Sequence, residues 1–445
     1  MKSRVKIAPP RLYSEGAPAQ PVGRRRPQLS QRRLRVLHVI NDLSVGGAEM
    51  MLYKLLSDRD AERFVPAVAS LRSRGLLRER VDALDVGVHS VGINSHLHTP
   101  AAAFKLAGIV RRLDPDVIHG WMYHGNLAAQ FAAACAPRSV PVLWSIRQSI
   151  YSLEHEKTST MLAIRLGARL SSRPDAIVYN SRVSAAQHGA IGYLAEKGRV
   201  IPNGFDTSSF APSDEARRGV RAELGLDEDA LLVGMVGRFH PAKDHETFLR
   251  AASLVNQTER EVRFVLCGRG VEWENQQLRG LAARLGVAER THLLGERHDM
   301  QRLTASFDLV VSSSFEEGFP NVVGEAMSCG VPCVVTDVSD LPWVVGDTGL
   351  VVPPKDPDAL ARAMRTMIEM SPEGRRQMGE SARRRVVNKF QLKKIKELYE
   401  DLYAELAAKR ENGTRGARGV RKLFEAKSAT AARARAESDR NEDTP

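Results

Sequence analysis

Cysteine is scarce in this 445-residue chain, with only Cys135, Cys267, Cys329 and Cys333, all in apolar stretches and none in a Cys-x-x-Cys pair. Cys329 and Cys333 are separated by Gly330 and Pro332, with no His or Cys pair nearby, so a zinc site is not expected and a reducing cytoplasm fits. No apolar run approaches the roughly 18 residues of a membrane-spanning helix. The Arg-rich start lacks the apolar stretch of a secretory signal. We therefore expect a chain neither exported by that route nor anchored through a helix of its own. A Gly-x-Gly-x-x-Gly is also missing: Gly46-Gly47 does not form one, and the strand-like Val65–Leu71 is followed by Arg72 where a dinucleotide site would place an acid. Arg72 would suit a 2′-phosphate, but the glycine spacing still excludes a nicotinamide-dependent oxidoreductase.

What the chain has in excess is positive charge, +12 overall, and its placement decides its meaning. Residues 1–35 hold ten Lys/Arg against one Glu, and residues 409–445 hold ten against six acids, leaving the body close to neutral. That argues against a basic nucleic-acid groove across the folded part. Two cationic ends remain, suited to an anionic membrane face or phosphorylated acceptors, or serving only as solubilising disorder.

Residues 1–33, with Pro9-Pro10, three consecutive arginines and Pro27, carry too little apolar surface to offset the entropy of ordering and read as a disordered arm. From Leu34 the pattern alternates: an apolar run Val36–Ile40, the Gly46-Gly47 turn, then a helix with Met51, Leu52, Leu55 and Leu56 on one face. Val65–Leu71, Val117–His119, Val140–Trp144 and Ala176–Asn180 continue the strands, with helices near Leu76–Leu84 and Leu127–Ala134. Ile201-Pro202-Asn203-Gly204 closes this half, and the polar stretch Asp206–Glu215 reads as a hinge. A second unit repeats the pattern through Leu231–Val236, Arg263–Cys267, Thr291–Leu294, Leu309–Ser313, Pro332–Thr336 and Leu350–Val352. Continuous apolar strands alternating with amphipathic helices predict an α/β architecture, two facing Rossmann-like domains with parallel sheets and a ligand cleft between them. The expected boundaries are a basic arm at 1–33, domains at 34–205 and 206–388, a closing helix at 389–408 and a charged tail at 409–445.

Two constellations carry chemistry. Arg238 follows the strand Leu231–Val236, and Lys243 lies five residues on, before a helix with Asp244 as cap and Phe248, Leu249, Ala252 and Val255 on one face. Two cations beside a helix start suit a diphosphate, above all one that departs with developing negative charge. The second is Glu317-Gly-Phe-Pro-Asn-Val-Val-Gly-Glu325. Glu317 falls on a loop after the strand Leu309–Ser313, and Glu325 one turn into a helix that Asn321 caps and Gly330-Val331-Pro332 stops. A carboxylate there would oppose a diphosphate, so Glu325 makes sense gripping a ribose diol, and Glu317 holding hydroxyls of a transferred sugar. The plain alternative is that carboxylates simply favour a helix start.

Taken in order, Gly46-Gly47-Ala48-Glu49, Asp116-Val117-Ile118-His119, Ile201-Pro202-Asn203-Gly204-Phe205-Asp206, Arg238 with Lys243, and Glu317-x7-Glu325 resemble the retaining glycosyltransferases of family 4, the group 1 type with GT-B architecture. The resemblance spans roughly residues 34–405. It implies transfer of a sugar from a nucleotide-sugar donor, UDP- or GDP-linked, to a glycan or polyprenyl-linked acceptor. Arg238 and Lys243 would bind the donor diphosphate, Glu325 the ribose, and Glu317 the donor sugar in support of catalysis, with Asn321 beside them on the donor side. Gly47 would let the backbone approach donor phosphates or acceptor closely. Retention is attributed to attack on the face the leaving group vacates, a donor phosphate oxygen helping to deprotonate the acceptor, so no acid and nucleophile pair of glycosidase type is expected.

One departure touches the acceptor side. Many relatives have His-x-His after the Asp-x-x-His strand, whereas this chain reads His119-Gly120-Trp121-Met122-Tyr123-His124. His119 and His124 are both candidates for acceptor or sugar contact, and Trp121 for stacking on an acceptor ring, against the plain reading of hydrogen-bonded residues at a strand end. Asp114-Pro115-Asp116 looks like a DxD metal signature but precedes a strand in the wrong domain; no metal and no cofactor is expected. A sugar-nucleotide epimerase or a phosphorylase-like enzyme would share the fold, the latter with a pyridoxal lysine for which there is no signature. A silent scaffold would have no use for charged residues at all four donor positions. The donor base would lie near Gly268-Arg269-Gly270 and Gly295-Glu296-Arg297. The expected location is the cytoplasm, peripherally at the membrane's inner face.

Overall fold

The computed structural model describes residues 32–409 apart from Val45, 73–74, 94–98, 151–156 and 256–260. The arm expected at 1–33 and the tail at 409–445 therefore lie, but for their innermost residues, outside the described part. The first half runs β1 (Leu34–Ile40), α1 (Gly47–Ser57), β2 (Phe64–Ser70), α2 (Arg78–Asp82), β3 (Gly87–Ser90), α3 (Thr99–Leu113), β4 (Val117–Trp121), α4 (Met122–Ala134), β5 (Val142–Ile146), α5 (Thr158–Leu170), β6 (Ala176–Tyr179), α6 (Arg182–Ala190) and β7 (Gly198–Val200). The second runs α7 (Asp214–Glu223), β8 (Leu231–Val236), α8 (His245–Val255), β9 (Val262–Cys267), α9 (Gln276–Arg284), β10 (Thr291–Leu293), α10 (Met300–Ala305), β11 (Leu309–Ser312), α11 (Asn321–Ser328), β12 (Cys333–Thr336), α12 (Leu341–Val345), β13 (Gly349–Val352), α13 (Pro357–Glu369) and α14 (Pro372–Lys389).

Both sheets are parallel, ordered β3-β2-β1-β4-β5-β6-β7 and β10-β9-β8-β11-β12-β13. The chain order reverses beside β1 and beside β8, and the carboxyl ends of those strands open the crevice where ligands of such sheets bind. Each sheet separates two apolar layers. In β1, Leu34, Val36 and Ile40 face one layer and Leu37 and Val39 the other, as the two-residue strand period requires. The strands not anticipated, β3 and β7, are short edge strands of half-exposed residues with no apolar run to mark them.

The halves are joined twice, and the two crossings are bonded to each other. Phe205 N–H donates to the Phe390 carbonyl at 2.9 Å and Leu392 N–H to the Phe205 carbonyl at 2.8 Å. The helix at residues 392–409 then returns to the first half, placing Ile395, Tyr399, Leu402 and Tyr403 in the core against Val36, Leu52 and Leu55. The closing helix is thus part of the first domain's core. The expected hinge, Asp206–Glu215, is also more ordered than its polarity implied: Thr207 and Phe210 are buried, and α7 begins at Asp214 with the Ser213 hydroxyl accepting from Ala216 N–H at 3.0 Å. Among the described residues no helix is long and apolar enough to cross a membrane.

Gly204 has to be glycine at this crossing, since a β-carbon there would lie 2.7 Å from the Leu392 Cα. Gly47, by contrast, would carry a β-carbon with nothing within 4 Å. Gly204→Ala is expected to lower stability in urea unfolding by about 1–3 kcal/mol. Gly47→Ala should stay within about 0.5 kcal/mol of the parent.

Candidate active site

Between the halves lies a cavity of about 640 Å³. The first domain lines it with Asn41, Glu49, Met122, Tyr123, His124, Gln148, Lys157 and Thr160, and the second with Arg238 and His240. All ten follow the carboxyl ends of strands or lie in the first turns of α1, α4 and α5. Met122, at the β4–α4 junction, holds φ +61°, a left-handed conformation costly for a long side chain and of the kind stored at functional sites. Its sulfur accepts from the Arg147 N–H at 3.4 Å.

On the second-domain side, the segments after β8 and β11 are stitched together. Ser313 Oγ donates toward the Lys243 and Asp244 carbonyls at 2.9 and 3.0 Å, and Phe315 N–H to the Ala242 carbonyl at 3.0 Å. Asp244 caps α8 through Thr247, whose N–H and hydroxyl reach its carboxylate at 3.2 and 2.7 Å. The Lys243 ammonium pairs with the Glu317 carboxylate, which also accepts from Ser314 Oγ at 2.9 Å. Arg238 is exposed and makes no ion pair with the described residues. Gly268, at φ +145°, packs so tightly on the Gly237 carbonyl that no side chain would fit. Arg297, placed with the base loops from sequence, is held by Glu223 and Asp299 at 2.5 and 2.6 Å.

Glu325 lies half-buried on α11, and burial pushes its carboxyl up to about 7, opposed by the Lys54 ammonium on α1. Asn321 is the first residue of α11 with Pro320 in the cap position. Its carbonyl oxygen is directed across the domain boundary, accepting from Asn203 Nδ2 at 2.7 Å. The capping role read from sequence is therefore corrected, because the side chain is committed to a partner in the other domain. Lys243 packs beside Gly237, next to Arg238, and carries Glu317 with it, but Lys243, Glu317, Asn321 and Glu325 are not among the residues that line the cavity; Arg238 and His124 are.

The two histidines separate cleanly. His124 faces the cavity, its pKa lowered by partial burial and by the Arg72 charge. His119 is fully buried under the helix at 392–409, its Nδ1 hydrogen-bonded to the Tyr403 hydroxyl at 2.8 Å and its ring 4.5 Å from Trp121. Burial holds it neutral, its pKa well below the ordinary value. Trp121 is equally buried and donates from Nε1 to His38 Nδ1 at 3.2 Å. Alternate β4 residues project to the same side of the sheet, so His119 and Trp121 share the interior face. An acceptor reaches neither, which corrects both assignments. Asp114 and Asp116 sit at the opposite, amino-terminal sheet edge in an ion-pair cluster with Arg32, Arg35 and Arg138.

Sequence reasoning passed over Arg147. It is buried at the end of β5, donates to the Tyr399 hydroxyl at 2.8 Å and to Asn203 Oδ1, and lies 5.6 Å from the Trp121 ring centre. With Asn203 to Asn321, this forms one polar chain from the returning helix to the first turn of α11. The Ile-Pro-Asn-Gly motif carries one end of it, but the other partners are dispersed through the sequence. Glu49, Lys157 and His240 were also missed as cavity residues, although Glu49 ends the quoted Gly-Gly turn. Burial raises the Glu49 pKa, with Asp42 adding to the effect.

Solved structures share the two-domain fold. HepE from Anabaena, in complex with UDP and glucose, matches with a TM-score of 0.71 and 23% identity over 84% of this chain and 100% of that one. WaaG, a glycosyltransferase involved in lipopolysaccharide biosynthesis, matches with a TM-score of 0.64 at 16% identity over 83% of this chain and 99% of that one. The fold is GT-B: two Rossmann-like domains facing a cleft. Residues 45–209 match Glycosyltransferase Family 4 and residues 230–370 match Glycosyl transferases group 1. A D-inositol 3-phosphate glycosyltransferase of Mycolicibacterium gilvum is 33% identical over 76% of this chain and 77% of its own length. An N-acetyl-alpha-D-glucosaminyl L-malate synthase of Bacillus anthracis is 25% identical over 70% and 81%. The chain belongs to the family 4, group 1 glycosyltransferases.

The raised pKa of Glu325 has a consequence for stability. Between the ordinary value of 4.5 and about 7, the folded chain keeps a proton that the unfolded chain has released, so this residue's contribution to stability falls as pH rises through that window. Relative to Glu325→Gln, the parent should lose about 1–3 kcal/mol from pH 4.5 to 7.5 in denaturant titrations. Parallel pH profiles for the two proteins would disprove the raised pKa.

Proposed function

We propose that this glycosyltransferase uses a nucleoside-diphosphate sugar, UDP- or GDP-linked, and transfers its glycosyl group with retention to a glycan or lipid-linked acceptor. The observation that carries this reading is the stitching of the Arg238–Lys243 segment to the Ser313–Glu317 loop at the carboxyl ends of β8 and β11. One compact surface thereby presents cations for a diphosphate beside carboxylates for hydroxyls.

On donor binding, Arg238 and Lys243 take the diphosphate oxygens and stabilise the charge that develops as it leaves. Lys243 then shifts from Glu317 toward the diphosphate, and Glu317 accepts hydroxyl hydrogen bonds from the sugar. Glu325, one turn into α11, takes the ribose diol, and Asn321, held by Asn203, fixes the start of that helix. The open space in front of Gly47 admits donor phosphate or acceptor to the backbone. Because Glu317 and Glu325 are assigned to hydroxyls, we invoke no glycosidase-like acid and nucleophile pair; a donor phosphate oxygen takes the acceptor proton. The two cations supply the charge stabilisation that a metal provides in other transferases. His124 faces the acceptor side.

The complex of HepE with UDP and glucose supports a uridine donor. We place the enzyme in the cytoplasm, where nucleotide sugars are available, working at the inner membrane face when the acceptor is lipid-linked.

UDP or GDP should raise the melting temperature, and Lys243→Ala or Glu325→Ala should remove most of that shift. A chain indifferent to UDP, GDP and ADP alike would end the donor reading. Arg238→Ala should reduce turnover with the accepted nucleotide sugar by about 10²–10³-fold, measured as nucleoside diphosphate release.

A further inference from the structure

Helices α3, α4 and α5 cover one face of the first-domain sheet, with α4 packed against both neighbours. None of the three contains an Asp or Glu, in a chain where 53 of 445 residues are acidic. On α5, Leu162, Arg165, Leu166 and Arg169 fall at helical positions i, i+3, i+4 and i+7 and form one outward stripe, opposite the buried Ala163, Ile164 and Gly167. Leu162 is 57% exposed and Leu166 46%. Two helices away, Phe104 on α3 is 81% exposed among the exposed Lys105, Arg111 and Arg112, and Phe131 of the intervening α4 is 43% exposed. Large apolar side chains and cations of a single sign thus share one outer surface.

We propose that this face docks on an anionic lipid bilayer. The apolar side chains would enter the headgroup boundary while the arginines keep their guanidiniums among lipid phosphates, their stems lying along the apolar surface. Charge complementarity selects this occupant: the helices offer no carboxylate to pair with basic groups of a partner, and a second copy of the same face would meet cation with cation. The site gains from the placement. Lys157 and Thr160, before and within the first turn of α5, line the interdomain cavity, and Leu162 is half a turn further on. Thr160 lies on the opposite side of the same helix, so docking through α5 puts the bilayer about one helix width, ~10 Å, from the cavity wall, which serves the lipid-linked acceptor proposed above, although vesicle binding itself needs no turnover.

The test is co-flotation of the full-length chain with phosphatidylcholine vesicles, with or without phosphatidylglycerol. The parent should bind the anionic vesicles, release them as salt rises, and bind neutral vesicles weakly. Leu162→Asp with Leu166→Asp, and separately Arg165→Glu with Arg169→Glu, should each weaken binding by about tenfold or more. Both variants should keep the melting shift with UDP or GDP, showing that the donor domain is intact. Deletion of residues 1–33 and 410–445 should leave binding within about threefold of the parent. The proposal is overturned if the leucine variant floats like the parent or if the terminal deletion alone abolishes binding. It also fails if the parent ignores anionic vesicles, or self-associates through this face in light scattering while the leucine variant stays monomeric.

Discussion

Phe205 is the point on which the relation of the two domains depends. It lies where the chain first crosses between halves, bonded through its backbone to the residues of the second crossing. Its ring is fully buried, 6.2 Å from Phe319 on the Glu317 loop and 6.5 Å from Phe390, and pressed on Gly324 of α11, where any β-carbon would enter it. The linker, the returning helix and the loop bearing Glu317 are therefore parts of one packed cluster. A close-packed interior has few alternative arrangements, so the carboxylates inherit their placement from this aromatic contact.

Electrostatics works on top of that packing. Arg147 is buried and held by a tyrosine hydroxyl and an asparagine amide. Neutral oxygens accept from its two terminal nitrogens without cancelling its charge, and the amides pass the constraint on to Asn321 at the start of α11. Lys243 and Glu317 are paired at the cavity edge, whereas Arg238 faces it with no such pair among the described residues. An anionic ligand thus meets one cation already available and one that must be drawn from its carboxylate.

The strands of the two sheets were legible because continuous apolar runs buried on both faces have few other readings; Leu231–Val236 was found to the residue. The face of α8, the Arg238 and Lys243 loop and the Glu317 to Glu325 spacing were legible for a similar reason, since each is local in the chain. The edge strands β3 and β7 lacked that signal, being short and partly exposed. The returning helix was seen as a helix, but the core it completes could not be read, because its partners Val36, Leu52 and Leu55 are more than 300 residues away in sequence.

By itself the sequence determined the two parallel-sheet domains, the family, and which charged residues lie on the loops after β8 and β11, because period, turn chemistry and short spacing are properties of neighbouring residues. Only the tertiary structure decided what those residues meet. It buried His119 and Trp121 while leaving His124 on the cavity, a choice made by the helix that covers β4 and not by the motif they share. It joined Lys243 to Glu317 and Asn203 to Asn321, and it gathered the acid-free helices α3, α4 and α5 on one face. Burial and pairing are set by atoms distant in the chain, and that is why no local pattern carried them.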